Sequence, residues 1–215
     1  MSADRDPAAA PGLRERKKAR TRQALSDAAV ALFLERGFDA VSVAEVAAAA
    51  EVSKPTLFRY FPAKEDLVLH RFADHQDESA RVVAAGRRAG TAPLDALSAH
   101  LLDGLARRDP VTGLCDHPSV LAYLRLLYGT PALVGRLHAY RVRSEEALAE
   151  ALAAGAEGDP LLARLAAGQI VTVLRVLAEE NTARIAAGET AGAVAADAVA
   201  AAGVAFRALR EGLPY

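Results

Sequence analysis

Apolar residues recur at three- and four-residue spacing along most of the chain, and this pattern predicts helices rather than strands. Leu25, Ala29, Leu32 and Phe33 form the first clear stripe, and Gly37 follows at a predicted helix end. Later segments begin where proline can occupy the first turn of a helix without losing a hydrogen bond. These prolines are Pro93, Pro118, Pro131 and Pro160, and a last segment begins at Thr190. The pattern predicts an all-α fold of about nine helices.

Residues 42–61 carry the signals of two short helices joined by a tight turn. Ser42 and Glu45 form a capping box, with Val41 and Val46 at the flanking staple positions, so a helix is predicted to start at Val43. It ends after about two turns. Ser53 then caps a second helix. Two short helices with a turn of about three residues between them are typical of a helix-turn-helix.

The second of these helices separates its residues into two faces. At about 100° per residue, Leu57, Phe58 and Phe61 are predicted to pack inward. The opposite arc holds Pro55, Thr56, Arg59 and Tyr60, and Lys54 and Lys64 stand at either end of the helix. A guanidinium, a methyl group and a phenol on one exposed face suit the edges of bases in a DNA groove, and lysines suit phosphates. The alternative is a solvated polar face of a core helix.

The net charge of −1 conceals an uneven distribution. Residues 1–64 hold 11 Lys/Arg against 8 Asp/Glu, whereas the rest of the chain holds 15 against 19. The segment from Arg14 to Arg22 has six basic residues and one Glu. A basic head on an acidic body favours a nucleic-acid contact at one end of the chain, although a basic run alone fits an ordinary solvated helix equally well.

The chain resembles the TetR/AcrR family of transcriptional regulators over residues 14–69. The motifs that support this are Ala-Leu-Phe-Leu-Glu-Arg-Gly-Phe (31–38), Ser-Val-Ala-Glu-Val-Ala (42–47) and Val-Ser-Lys-Pro-Thr-Leu-Phe-Arg-Tyr-Phe-Pro-Ala-Lys-Glu-Asp-Leu (52–67). The resemblance implies a three-helix DNA-binding head on a larger helical body that binds an effector and dimerises. The signature at 58–66 is also similar to a subset of the family whose bodies are associated with acyl-CoA-like ligands.

The resemblance also implies roles for individual residues. Arg20, Thr21 and Arg22 would contact phosphates from the first helix, and Ser42 and Val43 would present a helix start to another phosphate. Lys54, Pro55, Thr56 and Arg59 would face the major groove, and Ser53, which caps their helix, would also contact the DNA. Tyr60 and Lys64 would bind phosphates. Glu51 departs from the family, which often has Gly in this turn, and a non-Gly residue at positive φ costs about 1 kcal/mol.

We expect three parts: a tail over residues 1–12, a helix-turn-helix domain over 13–64 and an effector-binding and dimerisation domain over 65–215. The fourth helix, expected from Lys64 to about Ala85, would join the last two parts. Polar residues in apolar surroundings are the candidates for an effector pocket between helices. They are His100, Tyr123, Tyr128, His138, Arg175 and Asn181.

The last two helices are predicted to form a homodimer. Residues 190–208 contain ten Ala and two Gly, which allow close helix approach, and the helix before them supplies Ile170, Val173, Leu174 and Leu177. Two such helices from each subunit would make a four-helix interface. An internal bundle in a monomer is the alternative.

The sequence shows no signature of an enzyme or of a bound cofactor. It has no glycine-rich phosphate loop and no pair of histidines spaced for zinc. Cys115-Asp116-His117 is a conceivable metal fragment, but a loop between helices explains it better. A single cysteine, no secretory signal and an apolar stretch from Ala191 to Phe206 that is too short for a membrane span indicate a cytoplasmic protein.

The sequence therefore predicts a ligand-responsive, dimeric DNA-binding regulator, a repressor that a small molecule releases from a palindromic operator. The alternative is a helical small-molecule-binding protein whose DNA-binding head is not used.

Overall fold

The computed structural model describes residues 12–73, 75–154 and 159–212. Within these ranges every regular element is a helix, which confirms the predicted all-α class. The predicted tail, residues 1–12, lies outside the described residues except for Gly12.

Four helices form the amino-terminal part of the chain. They are α1 (Leu13–Arg36), α2 (Val43–Ala49), α3 (Lys54–Tyr60) and α4 (Lys64–Ala73). Six more follow: α5 (Glu78–Arg88), α6 (Pro93–Ala106), α7 (Pro118–Gly129), α8 (Pro131–Ala153), α9 (Pro160–Ala186) and α10 (Ala191–Glu211). A single 3₁₀ turn, Pro110–Thr112, lies between α6 and α7. Each of the four prolines singled out in the sequence stands at the first position of its helix.

The prediction of one long fourth helix to about Ala85 is wrong. The described residues contain ten α-helices rather than about nine because this segment is split into α4 and α5. Turn-type hydrogen bonds join His75 N to Phe72 O and Glu78 N to His75 O, at 3.0 and 3.2 Å. The polar run from His75 to Asp77 supplies no apolar side chain that another helical turn could bury.

The chain divides into two compact units, Met1–Arg71 and Phe72–Tyr215. The division falls inside α4, beyond the predicted boundary at residue 64. The start of α4 belongs to the first unit because Leu67 is buried there and the buried Ser26 hydroxyl of α1 donates to the Leu67 carbonyl at 2.8 Å. The functional division into a DNA-binding and an effector domain stays a prediction.

The core of the first unit is built from the stripe on α1 and the inner faces of α2, α3 and α4. Its fully or almost fully buried members are Leu25, Ala29, Phe33, Val41, Val46, Leu57, Phe61 and Leu67. The Phe33 and Phe38 rings pack with their centres 5.0 Å apart. This packing stabilises α2 and α3, which at seven residues each are too short to be stable alone.

The described part of the second unit contains two buried clusters of apolar residues. One joins Val83, Leu97, Leu148, Ala149, Ala167, Ile170 and Phe206. The other joins Leu105, Leu114, Ile185, Ala191, Val194, Ala198 and Ala202. Next to the second cluster, Gly113 has φ +73°, and a Cβ at this position would lie 2.0 Å from the Ala178 carbonyl oxygen of α9. Only glycine allows this close approach of loop and helix.

Two helices, α9 and α10, are long and apolar enough to cross a membrane by length and composition alone. The apolar stretch from Ala191 to Phe206 is part of α10, which continues to Glu211. Core helices of globular proteins pass the same test, and both helices contribute residues to the buried clusters of the second unit. The test is therefore weak evidence for a membrane segment.

Candidate nucleic-acid interface

The start of α2 has the predicted capping box. The Ser42 hydroxyl accepts a hydrogen bond from Glu45 N at 3.2 Å, and Ser42 N donates to the Glu45 carboxylate at 2.8 Å. Arg36, at the end of α1, forms an ion pair with the same carboxylate at 2.7 Å. The backbone N–H and hydroxyl of Ser42, and then Arg36, lower the pKa of Glu45 to about 2. Ser42 is exposed and Val43 half-buried, so this helix start is open to solvent.

The turn between α2 and α3 contains the predicted left-handed residue. Glu51 has φ +53°, and its side chain is exposed. Val52 N donates to the Ala47 carbonyl at 2.9 Å, which closes the end of α2 and turns the chain towards α3. The β-carbon of Glu51 strains the backbone in this conformation. Glycine, which has no β-carbon, would adopt it without this strain.

Ser53 caps α3 as predicted, since its hydroxyl accepts a hydrogen bond from Thr56 N at 3.2 Å. Leu57 and Phe61 are buried, but the prediction that Phe58 packs inward is wrong, because 40% of its surface is exposed. Leu57 and Phe61 are four residues apart and share one face, whereas Phe58 is turned about 100° from Leu57. The Lys54 ammonium lies 5.9 Å from the centre of the Phe58 ring.

The outward side of α3 is thus formed by one group of neighbouring side chains. Lys54, Pro55 and Arg59 are exposed, and Thr56 and Tyr60 are half-buried. The Arg59 guanidinium carbon lies 5.7 Å from the centre of the Tyr60 ring. The Thr56 hydroxyl shares a hydrogen bond of 2.8 Å with the Ser53 hydroxyl, in which either can be the donor, and its methyl group is available to a partner. The structure brings all five together with Phe58.

The candidate residues of α1 differ in their contacts. Arg20 is exposed. The Thr21 hydroxyl donates to the Lys17 carbonyl of its own helix at 3.0 Å. Arg22 donates to the Tyr60 carbonyl at 3.2 Å, and its guanidinium lies 5.3 Å from the Phe61 ring centre. Arg22 therefore links α1 to the end of α3.

Lys64 has contacts that the sequence did not indicate. Its ammonium donates to the Phe38 carbonyl and lies 4.2 Å from the Phe38 ring centre and 5.3 Å from that of Phe33. The side chain is half-buried. Lys64 consequently holds the start of α4 against the loop after α1.

The six effector-pocket candidates lie in the second unit, and the structure does not gather them at one site. His100 lines a cavity together with residues of α5, α8 and α9. Tyr128 is exposed and lines a separate groove with Leu124 and Ile185. His138 is exposed on α8.

The other three candidates have contacts within the protein. Tyr123 is buried and stacks with Phe72 at 6.0 Å between ring centres. Arg175 forms an ion pair of 2.5 Å with Glu179, one turn further along α9. The buried Asn181 amide donates to the Thr112 carbonyl at 2.9 Å. The polar atoms of Arg175 and Asn181 therefore have partners within the protein, and these contacts belong to the fold.

The Cys115-Asp116-His117 fragment lies in the loop before α7, as the sequence suggested. Asp116 accepts a hydrogen bond from Ala191 N at the start of α10 at 2.8 Å. His117 caps α7 by accepting one from Ser119 N at 3.3 Å. Among the described residues, no three His, Cys, Asp or Glu side chains are grouped so as to hold a metal ion.

These features define an all-α protein with a helix-turn-helix in its first unit. The family model for bacterial regulatory proteins of the tetR family matches residues 25–70, which include the helix-turn-helix. The chain is 38% identical over 137 residues to the HTH-type transcriptional regulator TcmR of Streptomyces glaucescens, a match of 63% of this chain and 59% of that protein. The chain is thus similar to regulators of the TetR family, and residues 25–70 match the model of that family.

Two solved structures show the same fold. Thermus thermophilus FadR, a TetR-family repressor solved with lauroyl-CoA, has 23% identity over 90% of this chain and 95% of its own, with a TM-score of 0.56. Pseudomonas aeruginosa NalD, the secondary repressor of the MexAB-OprM multidrug efflux pump, has 19% identity over 88% and 96%, with a TM-score of 0.55. At these identities the likeness concerns the fold.

The chain spans 59% and 30% of the length of the curated relatives that it matches.

Proposed function

We propose that the protein is a DNA-binding transcription regulator that places α3 in the major groove. The observation that supports this is the exposed face of α3, where a guanidinium, two aromatic rings, a methyl group and an ammonium lie side by side on a capped, well-packed helix. Arg59 suits a guanine edge, and Lys54, Pro55 and Thr56 flank it along the groove. Arg20, Thr21, Arg22, Ser42, Val43, Tyr60 and Lys64 are proposed as the surrounding phosphate contacts.

Selection of bound sites from random DNA tests this function. We expect an enriched two-fold symmetric sequence with half-sites about one helical turn apart. Arg59→Ala should cost about 1–3 kcal/mol on the selected site and relax the preference at one base pair. Arg59→Lys, the matched control, keeps the charge but lacks the planar fork, so it should lose the preference and retain non-specific binding. Failure to enrich any sequence would favour a ligand-binding protein whose head is unused.

We propose a homodimer through α9 and α10. Large apolar side chains are exposed along both helices, which is unusual for a helix surface that faces only water. They are Leu161, Leu162, Leu165 and Val176 on α9, and Val199 and Val204 on α10. A second copy that presents the same two helices would cover them in a four-helix interface.

Light scattering at micromolar concentration tests the dimer. The double variant Leu162→Glu and Val204→Glu should scatter as a monomer, because its dimer would bury two unpaired charges per subunit in the interface. Leu34→Glu is the matched control, since Leu34 is 42% exposed but lies on α1. A monomeric parent protein would contradict the proposal.

We propose that an effector occupies the cavity of 180 Å³ that His100 lines in the second unit. Leu97, Leu101 and Leu174 give it an apolar wall, and the Glu78 carboxylate with His100 gives it a polar end. Sites for drug-sized ligands usually measure about 300–1,000 Å³. The cavity as it stands suits a smaller molecule of mixed polarity, and an acyl-CoA would require it to widen.

Thermal-shift screening tests the effector site. A ligand of this cavity should raise the melting temperature of the parent protein and of His138→Ala, but not of His100→Ala. The two histidines make a matched pair because His138 lies outside the cavity on the exposed side of α8. If no acyl-CoA species stabilises the parent protein, the acyl-CoA hypothesis is rejected.

The regulation that we propose is a shift between two states of the dimer. An effector that binds the weakly DNA-binding state more tightly lowers the affinity for DNA by its differential free energy, typically about 1–3 kcal/mol. We propose that the protein acts in the cytoplasm as a repressor released by its ligand. Deletion of the gene should then raise expression of the neighbouring genes that carry the selected site. A fall in their expression would indicate an activator.

A further inference from the structure

The first half of α1 is an exposed, strongly basic stretch of helix. All seven side chains from Arg14 to Arg20 are exposed, and the first buried residue of the helix is Leu25. This stretch therefore contributes nothing to the core of the first unit, although α1 is continuous over 24 residues.

Three of the five basic residues of this stretch form a stripe along one face, whereas Arg16 and Arg20 lie outside it. Arg14, Lys17, Lys18 and Thr21 are spaced i, i+3, i+4 and i+7, which places them on one side of a helix over about 10 Å of its length. One turn after Lys18, Arg22 reaches the Tyr60 carbonyl at the end of α3. The stripe thus leads along α1 directly away from the point where α1 meets α3.

This arrangement is unfavourable for the isolated helix. Arg14 has like charges three and four residues later, and each such pair destabilises a helix by a few tenths of a kcal/mol. Gly12 provides no side-chain cap, and the cations stand near the positive end of the helix dipole. Glu15 is the single acidic residue of the first turn. A negatively charged partner would relieve all of these effects at once.

We propose that the basic stripe of Arg14, Lys17 and Lys18 binds the DNA backbone that flanks the bases read by α3. Duplex DNA carries one negative charge per about 1.7 Å of its axis, so a stripe of this length can neutralise several phosphates. The inference rests on the proposed DNA-binding function and extends the phosphate contacts of Arg20, Thr21 and Arg22 by about two turns of helix. It predicts a contact area that reaches beyond the recognition site on either side.

Salt titration of DNA binding tests the stripe. Lys17→Gln should reduce the slope of log K against log salt by about 1 per protomer, and the triple Gln variant of the stripe by about 2 to 3. Arg88→Gln is the matched control. Arg88 is an exposed basic residue of α5 in the second unit, outside the proposed DNA contacts, so the slope should stay within error of the parent value. Circular dichroism shows whether each variant remains helical.

Shortening the DNA on either side of the selected site gives an independent test. The parent protein should lose affinity and slope when the flanks are trimmed from about ten base pairs to two, whereas the triple variant should be insensitive to trimming. Equal slopes for Lys17→Gln and Arg88→Gln, or equal trimming effects in parent and triple variant, would overturn the stripe proposal while leaving sequence-specific binding by α3 intact. Absence of sequence-specific binding in the parent protein would instead reject the proposed function itself.

Discussion

The Arg22 guanidinium of α1 donates a hydrogen bond of 3.2 Å to the main-chain carbonyl of Tyr60, the last residue of α3. This carbonyl is among the last four of the helix, which have no partner within it. The hydrogen bond from Arg22 fixes the end of the recognition helix and the backbone position of Tyr60, from which the Tyr60 ring extends. Arg22, which is predicted to contact a phosphate, therefore has a second role in positioning the end of α3.

The double role of Arg22 can be separated by two measurements. Arg22→Ala should lower the free energy of unfolding by about 1 kcal/mol, since it removes one hydrogen bond and the contact with the Phe61 ring. It should also reduce the salt slope of DNA binding by about 1 if the guanidinium reaches a phosphate. Arg22→Lys should restore the slope. Urea unfolding that gives the parent value for Arg22→Ala would contradict the positioning role.

The helix-turn-helix could be predicted in detail because its signals are local. The caps at Ser42 and Ser53 and the positive φ at Glu51 depend on residues within three or four positions, and each is confirmed. The prediction for Phe58 is wrong because Phe58 lies only about 60° from Phe61 around the helix and so looks like part of its apolar face, whereas the buried side of α3 is centred nearer to Leu57. Its turn of about 100° from Leu57 was the signal available in the sequence.

The effector candidates could not be predicted because their environment is made by distant parts of the chain. Asn181 meets Thr112, which is 69 residues away, and this contact has no trace in the local pattern. The cavity beside His100 likewise needs α5, α6, α8 and α9 together, and Glu78 was not recognised as part of it.

Glu51 gives a test of backbone strain in the turn. Glu51→Gly should be more stable than Glu51→Ala by about 1 kcal/mol, because glycine adopts φ +53° without a steric penalty. Alanine is the matched control since it removes the same charge and keeps the β-carbon. Denaturant unfolding of the two variants measures the difference. Equal stabilities would show that the turn is not strained.

Phe58 is expected to contact a thymine methyl group, because its exposed phenyl ring on the outer side of α3 has no hydrogen-bonding group and can pack against a methyl. Replacing single thymines of the selected site by deoxyuridine removes one methyl group each. We expect a loss of about fourfold in affinity at one position, from about 0.8 kcal/mol per methyl. Phe58→Ala should abolish this effect, and Leu34→Ala should preserve it. A uniform response across all positions would exclude the contact.

Lys64 is expected to affect both stability and DNA binding. Lys64→Met keeps most of the apolar stem but removes the ammonium from the Phe38 carbonyl and the rings of Phe33 and Phe38, so the free energy of unfolding should fall by about 1 kcal/mol or more. If the ammonium also donates to a phosphate, the salt slope should fall by about 1. A changed stability with an unchanged slope would restrict Lys64 to its role in the fold.

The Glu78 carboxylate contacts two histidines. One oxygen lies 2.7 Å from His75 Nδ1, and the other lies 3.1 Å from His100 Nε2. The hydrogen bond from His75 lowers the pKa of Glu78 below its ordinary value of 4.5, and both imidazoles favour the charged carboxylate. A carboxyl group whose pKa is lower in the folded state stabilises the fold fully above pH 4.5, and this contribution is lost as the pH falls through the lowered pKa. Glu78→Gln should therefore unfold more easily than the parent protein at pH 7. The difference should shrink below pH 4.5, because the protonated parent carboxyl then resembles the amide. Glu180→Gln, which changes an exposed carboxylate on α9, is the control and should follow the parent curve. A stability difference for Glu78→Gln that stays constant from pH 7 to pH 3 would mean that the charge of Glu78 contributes nothing and that its hydrogen bonds act as neutral contacts.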